Sequence, residues 1–257
     1  MEQLERYMKE LRLKRIPDIY KDEARKAAEG KLDFVEYLHR LIEEEYLSKV
    51  ERSVNMRIRR ATFPFVKTLD EYDFTFQPQL NEKLIRRLGG LDYLDEAKSI
   101  LFVGPPGVGK THLAIGLGIK ACQEQKRVKF YHAQELINAL CQAKVTGLLG
   151  KELWKLGKLD LLIIDELGYM KLSRENTSVL FQLICRRYEK GSTILTSNCP
   201  FEDWGRIFED HVMATAILDR LLHHSHVIYI TGKSYRMKDY QMNMDTVTTD
   251  DQVGGGS

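Results

Sequence analysis

The chain has 257 residues, 43% of them hydrophobic, and its 39 Lys and Arg against 37 Asp and Glu leave a formal net charge of +2. That length suits one large domain plus a small one, and so mild a charge means that any nucleic-acid contact must come from local patches. No apolar run approaches the roughly 18 residues of a membrane span, and Met1-Glu2-Gln3-Leu4-Glu5 is too charged for a signal peptide, so no membrane partner is expected. Cys122, Cys141, Cys185 and Cys199 are scattered without a CxxC pair. This spacing argues against a disulfide framework or zinc knuckle and for a reducing, cytoplasmic setting.

Residues 1–62 are highly charged, poor in glycine and helical in pattern, and are expected to form a small all-α N-terminal domain. Pro17-Asp18 marks a break before a second helix, which Gly30 ends. A long helix is expected from Leu32, with Phe34, Leu38, Leu41 and Ile42 at helical spacing. Packing within its own bundle is the preferred reading of that stripe over a partner surface. Lys49, Arg52, Arg57, Arg59 and Arg60 follow against Glu51 alone, as a solvated face or as a phosphate-contacting patch. Phe63-Pro64-Phe65 breaks the helix, and residues 63–79 read as an extended linker. Tyr72, Phe74 and Phe76 alternate there as in a strand-like segment laid against a domain; a wall for an adenine pocket is the other reading.

Residues 80–245 alternate helix and strand. Strands are predicted at Ile100–Val103, Val128–Tyr131, Leu161–Ile164, Thr193–Thr196 and Val227–Ile230, an α/β pattern that implies a five-stranded parallel sheet covered on both faces. Between the first strand and a helix over Thr111–Cys122 lies Gly104-Pro105-Pro106-Gly107-Val108-Gly109-Lys110-Thr111. Strand, glycine loop and helix in that order make a phosphate cradle: backbone N–H groups and the helix N-terminus face the phosphates. Lys110 can reach the β- and γ-phosphates and the Thr111 hydroxyl can ligate Mg²⁺. These eight residues and the adjoining His112 are the expected nucleotide-binding set.

A stretch from Ala133 to Asp160 is longer than a plain crossover needs. Near its end Lys151, Lys155 and Lys158 share one helical face, and Leu149, Leu153 and Leu156 the opposite one. The lysine stripe is a solvated face or a track for a phosphate backbone, with Lys144 as a weaker member. The third strand ends in Asp165-Glu166. An acid there can hold Mg²⁺, and the second suits a general base that polarises water, so ATP hydrolysis is expected. Thr196-Ser197-Asn198 closes the fourth strand with an amide that could orient that water or touch the γ-phosphate; a turn-forming Asn is the other reading. His223, His224 and His226 have no carboxylate or thiol at ligand spacing in the sequence and read as helix-end polar residues. Residues 246–257 form a tail, of which Gly254-Gly255-Gly256-Ser257 reads as an appended linker.

GPPGVGKT, LLIIDE and TSN in this order resemble the AAA+ family of P-loop ATPases. Phe63-Pro64-Phe65-Val66-Lys67-Thr68-Leu69-Asp70, Asp165-Glu166-Leu167-Gly168 and Ile217-Leu218-Asp219-Arg220-Leu221-Leu222-His223-His224 resemble IstB-type transposition helpers of bacterial insertion sequences, relatives of DnaC-type helicase loaders. The resemblance covers essentially residues 1–245. It implies an ATPase that oligomerises on duplex DNA without reading its sequence and recruits a transposase; a helicase loader and a nucleotide-gated scaffold are the alternatives. It also implies roles: Asp165 for the metal, Glu166 as the catalytic glutamate, Asn198 as sensor, Arg220 as the arginine inserted into a neighbour's site and Arg236 as second sensor. Arg206 competes with Arg220. Too few residues follow the fifth strand for the full helical lid that many AAA+ modules carry.

Overall fold

The computed structural model describes residues 2–30, 32–169 and 171–237. The expectations about the lid and the tail lie largely outside these residues. The chain divides into two compact units, Met1–Arg57 and Ile58–Ser257.

The first unit holds helices α1 (Glu2–Glu10), α2 (Ile16–Ala28) and most of α3 (Phe34–Ala61). Pro17 sits in the first turn of α2, where its missing N–H costs nothing. A small core gathers Met8, Ile16, Tyr20 and Leu41. Of the predicted stripe only Leu41 is buried; Phe34, Leu38 and Ile42 are exposed, which corrects the reading of a stripe packed within its own bundle. The unit is held instead by a carboxylate that the sequence did not advertise. Glu45 is buried and accepts the backbone N–H groups of Lys14, Arg15 and Ile16 at 2.6 to 3.0 Å, and the Arg52 guanidinium at 3.0 Å. One side chain on α3 thus caps the donors at the start of α2. Burial works to raise its pKa, but these donors together hold it below the usual carboxylate range.

The second unit is built on five parallel strands, β1 (Ser99–Val103), β2 (Val128–His132), β3 (Leu161–Asp165), β4 (Ser192–Ser197) and β5 (Ser225–Tyr229), in the order β2-β3-β4-β1-β5. Each agrees with its predicted segment to within two residues. Strand side chains alternate between two cores. Ile100, Phe102, Ile163 and Ile194 face one layer with helices α4 (Glu82–Leu88), α5 (Asp92–Asp95) and α6 (Lys110–Gln123). Leu101, Leu162, Ile164 and Leu195 face the other, with α7 (Ala133–Val145), α8 (Leu149–Gly157), α9 (Arg174–Arg187), α10 (Trp204–Ile207) and α11 (His211–His223).

The stretch expected as a linker is built into this unit. Leu69 and Tyr72 are buried in its first core, with Phe63 and Phe74 packed against it. Residues 74–76 form one 3₁₀ turn rather than a strand, because the Asp73 side chain caps it through the Thr75 N–H. Two glycines inside α6 make room for the segment. A Cβ on Gly116 would lie 2.7 Å from the Leu69 side chain, and one on Gly118 would lie 2.9 Å from the Phe63 ring. Arg187 closes the opposite end of the sheet. It is buried, and donates to the carbonyls of Leu156 and Leu159 at 2.6 and 3.1 Å and to the Thr193 hydroxyl at 3.1 Å. Desolvation pulls its pKa down to about 10.

Candidate active site

The loop from Gly104 to Gly109 joins β1 to α6 at the carboxyl end of the sheet, the side where open parallel sheets bind ligands. Its glycines are required by their surroundings. Gly107 and Gly109 have φ of +82° and +96°, which disfavours any side chain. A Cβ on Gly107 would also run into Ser234, and one on Gly109 would lie 2.6 Å from the Tyr72 ring. The Tyr72 hydroxyl donates to the Val108 carbonyl at 3.1 Å, and burial pushes its pKa up to about 12.

Lys110 is buried and donates to two carbonyls of its own loop, Gly104 at 2.7 Å and Pro105 at 2.8 Å. Burial lowers its pKa, opposed by the charges of Asp165 and Glu166. Thr111 donates toward the Asp165 carboxylate, 2.9 Å from Oδ1 and 3.2 Å from Oδ2. The buried Thr196 hydroxyl binds the same carboxylate at 2.6 Å and accepts the Glu166 backbone N–H at 2.9 Å. Glu166 itself has φ +63°, a left-handed conformation rare for a side chain of its size, and its carboxylate stands exposed beside the cleft.

Tyr72, the loop from Pro106 to Gly109, Lys110, Thr111, Asp165 and Glu166 line one cleft of about 380 Å³, within the usual range for small-molecule sites. Pro106 to His112 line it together with Asp165, Glu166 and Asn198, and Phe65, Tyr72, Phe76 and Tyr235 contribute rings. Of the three alternating aromatics Tyr72 and Phe76 line the cleft, whereas Phe74 packs against the core. His112 is turned toward the Thr68 carbonyl at 2.8 Å, and burial lowers its pKa. Arg236, exposed on the turn Tyr235–Met237, also reaches the cleft. That turn is tied to the loop by the Tyr235 N–H on the Gly107 carbonyl at 2.9 Å.

Two residues of the cleft carry little signal in the sequence. His132 ends β2 in register with Asp165, its Nδ1 3.7 Å from Oδ2, and the ligand atoms of His132, Asp165 and Glu166 lie within 4.8 Å of one another. An apolar strand closed by a polar residue is its only mark. Tyr169, two residues past Leu167, lines the same cleft, and burial raises its pKa. The Asn198 Oδ1 is buried with no protein partner, and the Thr111 hydroxyl and Asp165 carboxylate offer hard oxygen ligands side by side, so the site fits a nucleoside triphosphate with a hard divalent ion.

Other expected residues lie elsewhere. Arg220 is on α11, where it donates to the Ala216 carbonyl at 2.9 Å and lies 5.1 Å from the Phe181 ring centroid. It lines a small cleft with Ser99 and Gly191 at the opposite, amino end of the sheet, so it does not serve its own chain's nucleotide. Arg206 is well exposed on α10 and paired with Asp203 at 3.1 Å. Lys151, Lys155 and Lys158 are exposed on α8 or at its end; Lys155 pairs with Glu152 at 2.6 Å, and Lys158 lies over the Trp154 ring. Lys144 pairs with Glu175 at 2.9 Å. Arg57 is half-buried, whereas Arg59 and Arg60 are exposed. His226 is on β5, but Glu189 meets His223 and His224, so the carboxylate absent at ligand spacing in the sequence is supplied by the fold.

A five-stranded parallel sheet in this order, a glycine cradle after β1 and an acid pair at the end of β3, two strands away, define a P-loop ATP-binding protein of the AAA+ class. A family profile described as IstB-like ATP binding protein matches residues 6–243. An ATP-binding protein assigned to insertion sequence IS21 of Pseudomonas aeruginosa is 41% identical over 262 aligned positions, covering 100% of this chain and 99% of the relative. Its counterpart from insertion sequence IS5376 of Geobacillus stearothermophilus is 42% identical, covering 94% and 96%. The chain belongs to the IstB-like family of ATP-binding proteins. In fold it is similar to DnaA from Aquifex aeolicus bound to AMPPCP, with a TM-score of 0.56 and 19% identity over 72% of this chain and 56% of that one. No helix among the described residues is long and apolar enough to cross a membrane.

Proposed function

We propose that this protein is a cytoplasmic Mg²⁺-dependent ATPase that assembles with copies of itself on duplex DNA and recruits a transposase. The observation that carries the hydrolytic part is the convergence of Thr111, Asp165, Glu166 and Asn198 on one cleft, with the Asn198 oxygen buried and unpartnered. Bound Mg²⁺–ATP supplies the phosphoryl group to be transferred. Thr111 and Asp165 would hold the ion, and the backbone of 104–109 with Lys110 would hold the phosphates. Lys110 gives up its own-loop carbonyls to do so. The Glu166 carboxylate accepts the proton of the attacking water, and the Asn198 amide oxygen orients that water. Arg236 lines the same cleft.

Assembly is supported by Arg220. Its place at the wrong end of its own sheet leaves a neighbour's cleft as the one its guanidinium could complete. DNA contact is supported by the exposed lysines of α8 and by Trp154, 52% exposed among them, a pairing of cation and ring that tracks a backbone without reading bases. Kinship with insertion-sequence proteins supports the transposase as partner.

The direct test is Glu166→Gln. Fluorescent-nucleotide titration should show affinity kept while phosphate release falls by about a hundredfold or more. Turnover at the parental rate would overturn the hydrolytic assignment. Pull-down with the cognate transposase, against a replicative helicase as control, tests the partner.

A further inference from the structure

A second group of metal-type ligands lies outside the ATP cleft. His223 is the last residue of α11 and His224 its C-cap, and Glu189 follows the end of α9. The ligand atoms of these three residues lie within 4.8 Å of one another. His224 Nε2 is 3.4 Å from Glu189 Oε1, and the two imidazole centroids are 4.0 Å apart. Three features make this more than a chance of surface composition. The Tyr188 hydroxyl sits 2.7 Å from His223 Nδ1 and gives that imidazole a fixed partner. The Tyr188 ring is also stacked against both imidazoles, with interplanar angles of 30° and 25°. Such an outer partner, fixing tautomer and ring orientation, is what metal-binding histidines usually have. Glu189 adopts φ +56° in the left-handed turn that ends α9, and this turn brings its carboxylate to the histidines.

Two imidazole nitrogens and one carboxylate oxygen favour a borderline ion such as Zn²⁺, Co²⁺ or Ni²⁺ over Mg²⁺ or Ca²⁺. All three side chains are exposed, so water can complete the coordination. We propose that Glu189, His223 and His224 form a binding site for a divalent transition-metal ion, separate from the nucleotide's Mg²⁺. The Ser99 N–H donates to the His224 carbonyl at 2.8 Å, which places this site at the amino end of β1, whereas the phosphate loop follows its carboxyl end. Arg220 lies one helical turn before the histidines, in the cleft that Glu189 and His224 also line. An ion here would fix the end of α11 that presents Arg220. The binding itself stands whether or not Arg220 acts on ATP.

Tag-free full-length protein, saturated with Mg–ADP to cover His132, Asp165 and Glu166, should be titrated with Co²⁺ and followed by its visible absorption bands. The expected result is about one Co²⁺ per chain, displaced by Zn²⁺. Glu189→Gln should weaken binding by about tenfold or more, and His223→Asn with His224→Asn should abolish it, with ADP affinity kept as the check on folding. His132→Asn should leave the cobalt spectrum intact. Absence of stoichiometric binding, equal binding by the double variant, or loss of the spectrum in His132→Asn instead would each overturn the proposal. If the double variant does not fold, Glu189→Gln alone decides, because an unchanged cobalt affinity in it refutes the site.

Discussion

Thr196→Val removes one hydroxyl and almost nothing else, yet that hydroxyl joins both acids of the site. It binds Asp165 Oδ1 at 2.6 Å and receives the Glu166 N–H at 2.9 Å, and Thr196 is fully buried. A hydrogen bond to a charged group contributes about 1.5–3 kcal/mol, and an N–H left without a partner costs about 1–3 kcal/mol. Because Glu166 borders the cleft and water can reach part of that gap, we expect a loss of about 3 kcal/mol in stability, a fall of roughly 6–12 °C in Tm for a unit of this size. Glu166 is also held at φ +63° by this contact, so its carboxylate should drift. Turnover should fall about 10- to 100-fold, or about 1.4–2.7 kcal/mol in the barrier, while nucleotide affinity changes little because the phosphate cradle is untouched. Thr196→Ser keeps the hydroxyl and should restore most of the rate. Steady-state phosphate release, fluorescent-nucleotide titration and a thermal melt on the three proteins suffice. A Val variant with parental turnover would refute the positioning role, and equal loss of turnover and affinity would show that the whole cradle had collapsed instead.

Arg220→Ala should lower turnover by about a thousandfold in assembled protein, and mixing it with Lys110→Ala should recover part of it at mixed interfaces; no recovery in mixed assemblies would rule out action in trans. Replacing Lys151, Lys155 and Lys158 with Ala should weaken binding equally on unrelated duplexes. It should also make the plot of log affinity against log salt shallower by about one unit for each phosphate no longer neutralised, as fluorescence anisotropy would show. Glu45→Gln should reduce hydrogen-exchange protection of α2 amides about thirtyfold, for a loss of about 2 kcal/mol. The folded-state pKa of Glu45 is lowered, so its contribution is full above the ordinary glutamate value of about 4.3 and is lost as pH falls through the lower folded value. Protection corrected for intrinsic rates should therefore converge between parent and variant in acid; a constant difference down to about pH 2 would refute the capping role.

The parts of the molecule that were legible in the sequence are those whose physics is local. Ile100–Val103 and Leu161–Ile164 are apolar runs of strand length, and the Gly104–Thr111 loop carries its own backbone requirements, so strand, cradle and acid pair stand in order along the chain. What escaped depends on residues that meet only after folding. Glu45 is one acid among many until it turns to the start of α2, 29 residues away in sequence from Ile16. Glu189 and His224 are separated by a whole strand and two helices. Tyr72 and Phe74 alternate as a strand would, but the Asp73 cap and the glycine-lined face of α6 favour a turn pressed on that helix. The stripe from Phe34 to Ile42 misled for the opposite reason: periodicity shows that a helix has an apolar face, not that its own chain covers it.

The phosphate loop is gripped from both ends of the second unit, and this decides how the protein can be shortened. Tyr72 fills the space above Gly109, Ser234 the space above Gly107, and a Cβ on Gly104 would strike the Ile230 carbonyl. Leu69 and Phe63 occupy the notches left by Gly116 and Gly118 on the helix that the loop begins. A fragment cut at residue 80, where the strand-and-helix alternation starts, would leave these grooves open to water and strip the loop of its roof. A fragment meant to keep the loop in this shape therefore has to retain the chain from Phe63 to Tyr235, although its sequence motifs span only Gly104 to Asn198.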